Sequence, residues 1–206
     1  MKKYPVHLIA PSNQQEEVRF ENGNTNDIIA TILSADEICA EYTKKFAPYL
    51  KGKDVLETCH NIWEFVKTQI PYKLDPEGYQ FIKSPGKLWT DKSGDCKSFS
   101  IFCASILKNL GINYGYRFAS YKSDDPTPTH VYVYVPFKYG EIIVDAVWTG
   151  PFNTQKTFQH KKDVMPKIMY LGATNAPQSG RGMLKLNKPV DQMADGELAA
   201  DTVGLL

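Results

Sequence analysis

Several features that would make assignment easy are missing from this chain. It holds no apolar run near the ~20 residues that a membrane-crossing helix needs. The patch Val6 to Ala10 that follows Met1-Lys2-Lys3 is too short and too weak for a secretory leader. The expectation is therefore a protein of the cytoplasm, or of a virion, and not a secreted one. Net charge is nearly absent: 24 Lys and Arg against 23 Asp and Glu leave +1. Nothing in that balance calls for nucleic acid or an anionic membrane as partner. The densest basic stretch, 156–167, is broken by Phe158, Asp163 and Pro166 and reads as a solvated loop. Cysteine is scarce. The four residues Cys39, Cys59, Cys96 and Cys103 form no CxxC pair and share no zinc-type spacing with histidine. That argues against a metal site and for reduced thiols over a disulfide framework. No cofactor is implied.

Material for a core is present. Apolar residues make up 42% of the chain, enough to bury one ordinary domain. Residues 1–24 are polar, with Pro5 and Pro11, and read as an arm that lies on the domain or is partly loose. From Thr25 the apolar spacing becomes helical through Tyr42, with Thr25 or Asn26 as cap and Pro48 closing the segment. A second helix runs from Asp54 to Ile70, the residue before Pro71. Residues 71–92 hold three prolines and two glycines and read as a long irregular connection. A third helix starts near Cys96; Phe99, Phe102, Cys103, Ile106, Leu107 and Leu110 form its apolar stripe. After Gly111 the period changes to two. Three strands follow, at 112–121, 130–136 and 141–148, the last including Asp145. Helices first and an antiparallel meander after them give an α+β fold. The text 164–172 reads as a return to the core, and 173–206 as a tail of low order.

The chemistry concentrates at "GDCKSFSIF". Asp95 is a good N-cap, so Cys96 occupies the first helical position. Unsatisfied backbone N–H groups there create a positive potential that favours a thiolate. Gly94 permits a close approach with no side chain over the sulfur. Cys103, amid Phe99, Phe102 and Leu107, has the surroundings of a small core residue, and so do Cys39 and Cys59. Of the histidines, His130 is distinctive because it opens a strand directly after the polar run "KSDDPTPT". Asp145 stands in an otherwise apolar strand, where a carboxylate needs a partner. Hairpin register decides whether the two meet. Pairing Pro136 with Glu141 makes Asp145 the diagonal neighbour of His130. A two-residue turn at Tyr139-Gly140 instead puts them out of reach.

The order Cys, then His on a strand, then Asp on the next strand resembles the transglutaminase-like superfamily of cysteine enzymes. The similar text comprises "IWEFVKTQIPY", "GDCKSFSIFCASILKNLGI", "HVYVYV" and "IIVDAVW", across residues 54–149. The resemblance implies a papain-like, transglutaminase-core fold over 25–172, with N-terminal helices packed on an antiparallel sheet. It implies Cys96 as nucleophile, His130 as general base and acid, Asp145 as the orienting group, and Trp89 as a candidate oxyanion donor. The expected activity is acyl transfer on amide bonds of a peptide or protein substrate. Hydrolysis is favoured over cross-linking, since the chain lacks room for the accessory β-domains of large cross-linkers. The alternative is a catalytically silent module of the same fold, serving in a phage or bacterial assembly.

Overall fold

The helical half is built by caps that the sequence carries in the open. The computed structural model describes residues 3–12 and 22–166. Helix α1 (Thr25–Thr43) is capped one residue earlier than expected: the Asn24 side chain accepts the N–H of Asn26 at 2.8 Å, and its own N–H donates to Asp27 at 2.7 Å. This reciprocal pair satisfies donors that the helix itself leaves unused. Pro48 lies inside a short 3-10 turn, Ala47–Leu50, and α1 has already closed at Thr43. Helix α2 (Val55–Gln69) takes Asp54 as cap and stops before Ile70-Pro71. Within the stretch expected to be irregular, Pro85–Asp91 forms helix α3. Ser84 caps it, and Pro85 sits where a helix has no use for the missing N–H. Helix α4 (Cys96–Asn109) is buried from Lys97 to Leu107 and packs against α1, α2, α3 and the sheet.

The sheet contains β1 (Gly115–Ser120), β2 (His130–Phe137), β3 (Gly140–Val144) and β4 (His160–Val164), in the order β3-β2-β1-β4, with every pairing antiparallel. The architecture is α+β, with the helices covering one sheet face. Tyr116, Phe118, Val131, Val133, Val135, Ile142 and Val144 turn inward and join the helical core. Ala119, Tyr132 and Ile143 turn outward, under Tyr121, Tyr134 and Phe158.

Strand β4 corrects the reading of 156–167 as a solvated loop. Its residues alternate too little in polarity to announce a strand, and lysines are a common device for protecting a sheet edge. What fixes it is Arg117, 2% exposed, whose guanidinium pairs with Asp163 of β4 and Glu141 of β3. At the N-terminus, Tyr4 packs edge-on against Phe65 at 4.9 Å, Ile9 is buried, and the Ala10 N–H bonds the Tyr42 carbonyl at 2.8 Å. The expected tail, 173–206, lies outside the described residues, as does 167–172 of the expected return to the core; Val164 is buried in β4. Among the described residues no helix is long and apolar enough to cross a membrane.

Candidate active site

The β2–β3 hairpin pairs Pro136 with Glu141 and carries the ladder one step further, to Phe137 and Gly140. This is the register that brings Asp145 within reach of His130. Asp145 terminates β3; it does not lie within it. Its Oδ1 accepts the N–H groups of Val147 at 3.0 Å and Trp148 at 3.1 Å. A carboxylate competing for its own backbone in this way turns the chain out of the ladder. The other oxygen, Oδ2, meets His130 Nε2 at 2.8 Å. Helix α2 holds the turn from behind: Trp63 Nε1–H donates to the Asp145 carbonyl at 2.9 Å, and Lys67 donates to the Trp148 carbonyl.

His130 opens β2 between two phenols, with ring centroids 6.2 Å from Tyr121 and 5.5 Å from Tyr132. Burial alone would lower its pKa. Hydrogen bonds to Asp145 and Cys96, and their charges, outweigh burial and push it up to about 10. With Nε2 committed to Asp145, Nδ1 is the ring nitrogen left for the Cys96 sulfur.

Cys96 begins α4, as its capping text requires. Asp95 accepts the N–H groups of Lys97 at 3.1 Å and Ser98 at 3.4 Å. Ser100 donates to the Cys96 carbonyl at 2.7 Å and the Val131 carbonyl at 3.0 Å, which fastens the first turn of α4 to β2 beside His130. Gly94 is required by a neighbour other than the sulfur: an added Cβ would stand 2.4 Å from Leu88 Cδ1. Cys96 is partly exposed, while Cys39, Cys59 and Cys103 are buried. Burial pushes the Cys59 thiol up to about 12 and those of Cys39 and Cys103 further still. A small depression lined by Cys96, Phe99, Ser100, Val131, Tyr132 and Asp145 lies at the junction of helix and sheet.

Trp89 lies in α3. Its ring stacks on Phe65 at 5.8 Å, and Lys92 Nζ covers it at 2.9 Å, so its described ring contacts are with the helical core. Three further residues, Tyr72, Lys97 and Trp63, belong to the surroundings of the site. Tyr72 pairs through its backbone with Gly94 and packs edge-on against Phe99 at 6.0 Å. Burial and negative charge at Cys96, Asp95, Asp145 and Asp75 push its phenol up to about 12. Lys97, 5% exposed, joins the Asp95 carboxylate to Asp75 at 3.1 Å and to Gln80 at 2.8 Å. A lysine within an otherwise buried helical turn was the available signal for that cluster. Trp63 gave none, since its partner is a backbone carbonyl 82 residues along the chain. Among the described residues, no group of three His, Cys, Asp or Glu side chains is placed to hold a metal ion.

The family model described as the transglutaminase-like superfamily matches residues 44–146. No curated protein matches the chain by sequence. Among solved structures, a candidate cysteine protease from Cytophaga hutchinsonii is 19% identical, over 68% of this chain and 46% of its own, with a TM-score of 0.44. Calcium-bound LapG from Legionella pneumophila is 20% identical, over 64% of this chain and 77% of its own, with a TM-score of 0.44. A TGase is 14% identical, over 68% of this chain and 37% of its own, with a TM-score of 0.40. The chain thus spans less than half the length of the Cytophaga protein.

Proposed function

The chain belongs to the transglutaminase-like superfamily, and on that premise we propose that it performs thiol-dependent acyl transfer on amide bonds. Cys96 is the nucleophile, His130 the general acid and base, and Asp145 the group that orients and charges the imidazole. The observation that carries this reading is the 2.8 Å bond between His130 Nε2 and Asp145 Oδ2, on a ring whose other nitrogen is left for the sulfur. An imidazolium held beside a thiol at a helix start favours the thiolate.

The sulfur attacks the amide carbon, and the carbonyl electrons move to oxygen. The resulting oxyanion lies against the Cys96 N–H at the start of α4. His130 gives its proton to the amine nitrogen as the C–N bond breaks, leaving a thioester on Cys96. His130, now neutral, takes a proton from water, whose oxygen attacks the thioester. The acid departs and the thiolate–imidazolium pair is restored. The reading is therefore peptide or amide hydrolysis. An amine in place of water would give cross-linking through the same steps.

The test is the alkylation rate of each cysteine against pH, read by mass spectrometry, in the wild type and in His130→Ala. Cys96 should react at least about tenfold faster than Cys39, Cys59 and Cys103 at pH 6. Exposure alone already favours Cys96 over the three buried thiols, so the deciding quantity is the Cys96 rate itself, which should fall at least about tenfold without the imidazole. Four cysteines that react alike, and only on unfolding, would remove the enzyme reading and leave a binding module.

A further inference from the structure

Three large apolar side chains stand in solvent on the segment 72–81: Leu74 is 71% exposed, Tyr79 62% and Tyr72 45%. Single exposed apolar residues need no explanation. These three differ because the segment bearing them is fastened at several points. The Lys73 N–H donates to the Gly94 carbonyl at 2.9 Å, and the Phe81 N–H to Asp75 at 2.7 Å. Lys97, buried in the first turn of α4, grips Asp75 and Gln80. Just beyond, the Lys83 N–H donates to Ser98 Oγ at 3.1 Å. Tyr79 is further steadied by stacking on Phe81 at 5.9 Å. A chain segment held this firmly has already met the ordering cost that a binding surface would otherwise incur.

The surface is continuous with the candidate active site. Tyr72 packs on Phe99, and Phe99 lines the same depression as Cys96. Its character is apolar with little net charge. Lys97 pairs with both Asp75 and Asp95, which leaves one carboxylate charge in excess, and the exposed Lys73 and Glu77 are of opposite charge. Position also assigns it to one side of the scissile bond. His130 delivers its proton to the leaving amine, so the leaving group belongs on the sheet side. Segment 72–81 reaches the sulfur from the helix side, through Gly94 and Phe99, where the acyl part must lie.

We infer that segment 72–81 is a preformed wall that seats an apolar side chain of a peptide substrate on the acyl side of the scissile amide. This inference rests on the acyl-transfer reading.

The experiment uses the full chain and two reagents whose side chain occupies the acyl side: N-blocked phenylalanyl and aspartyl chloromethyl ketones. Iodoacetamide serves as the reagent without a side chain. After normalisation to iodoacetamide, the phenylalanyl reagent should label Cys96 at least about tenfold faster than the aspartyl one. In the double variant Leu74→Ser/Tyr79→Ser, that preference should fall to about threefold or less, while the iodoacetamide rate stays the same. Both residues are exposed, and the unchanged iodoacetamide rate reports that the site is still folded. Equal labelling by the two reagents, or a preference that survives the double variant, overturns the inference while leaving the acyl-transfer reading standing. A Cys96 that shows no advantage with iodoacetamide removes that reading, and the inference with it.

Discussion

Asp145 does more than face an imidazole. One oxygen accepts two backbone N–H groups of the turn it creates, the other meets His130, and its carbonyl is held by Trp63. Position and charge can therefore be separated. Asp145→Asn keeps the size and an oxygen for the Val147 and Trp148 N–H groups but removes the charge. His130 then loses what holds its pKa up. With the imidazolium no longer held beside the sulfur, Cys96 alkylation at pH 6.5 should slow at least about tenfold, with the circular dichroism spectrum unchanged. An unaltered pH–rate profile would take Asp145 out of the mechanism. Cys96, His130 and Asp145 were legible in the sequence because each is chemically out of place: a thiol at a capped helix start, an imidazole opening a strand, a carboxylate in an apolar run. Trp89 carried a weaker signal, an indole in a stretch read as loop; it lies in α3 and stacks on Phe65.

At the scale of elements, the start of α4 is fixed by two devices that act from opposite sides. Lys97 ties it to the 71–84 segment, and Gly94 allows α3 to pass close by. Lys97→Met would leave the buried Asp95 and the half-buried Asp75 without the cation they share. Removing one partner of a buried charge cluster costs about 3–5 kcal/mol, which a urea titration would read as a lowered midpoint. Lys97→Arg should recover part of the loss. Gly94→Ala sets a methyl 2.4 Å from Leu88 Cδ1 and 3.2 Å from Ser98 Cβ. Overpacking of this kind costs about 1–3 kcal/mol, and the same titration measures it; a neutral result would mean that α3 moves aside freely. Elements with strong period or clean caps were readable: α1, α2, α4 and the β2–β3 hairpin. Helix α3 was hidden because Ser-Pro-Gly is turn text, although Pro at a first helical position is also a start signal. Strand β4 was hidden because its identity depends on Arg117, a residue 46 positions away in sequence from Asp163.

Across the whole molecule, ionisable groups shifted in opposite senses make stability depend on pH from both ends. Asp163, paired with Arg117, and Asp91, paired with Lys83 and Lys87, are held below the usual carboxylate range despite some burial. Their contribution is complete above the unfolded value near 3.8 and is lost as pH falls through their lower folded values. Asp95 opposes them, because burial raises its carboxyl. At the alkaline end, His130 is pushed up to about 10 from 6.5. A raised histidine stabilises fully below its unfolded value, and the contribution drains away as pH rises through the folded one. Between about pH 6.5 and 10 the wild type should therefore lose stability steadily. The buried Cys59 thiol and the half-exposed Tyr72 phenol, both raised to about 12, add losses only above the ordinary thiol and phenol values. The two causes separate in His130→Gln, which keeps a polar side chain but cannot take up a proton. Urea midpoints of the two proteins should differ most near pH 6 and converge toward pH 10. A difference that stays constant across that range would mean that His130 contributes by packing, and that the charged pair with Asp145 does not form in the folded protein.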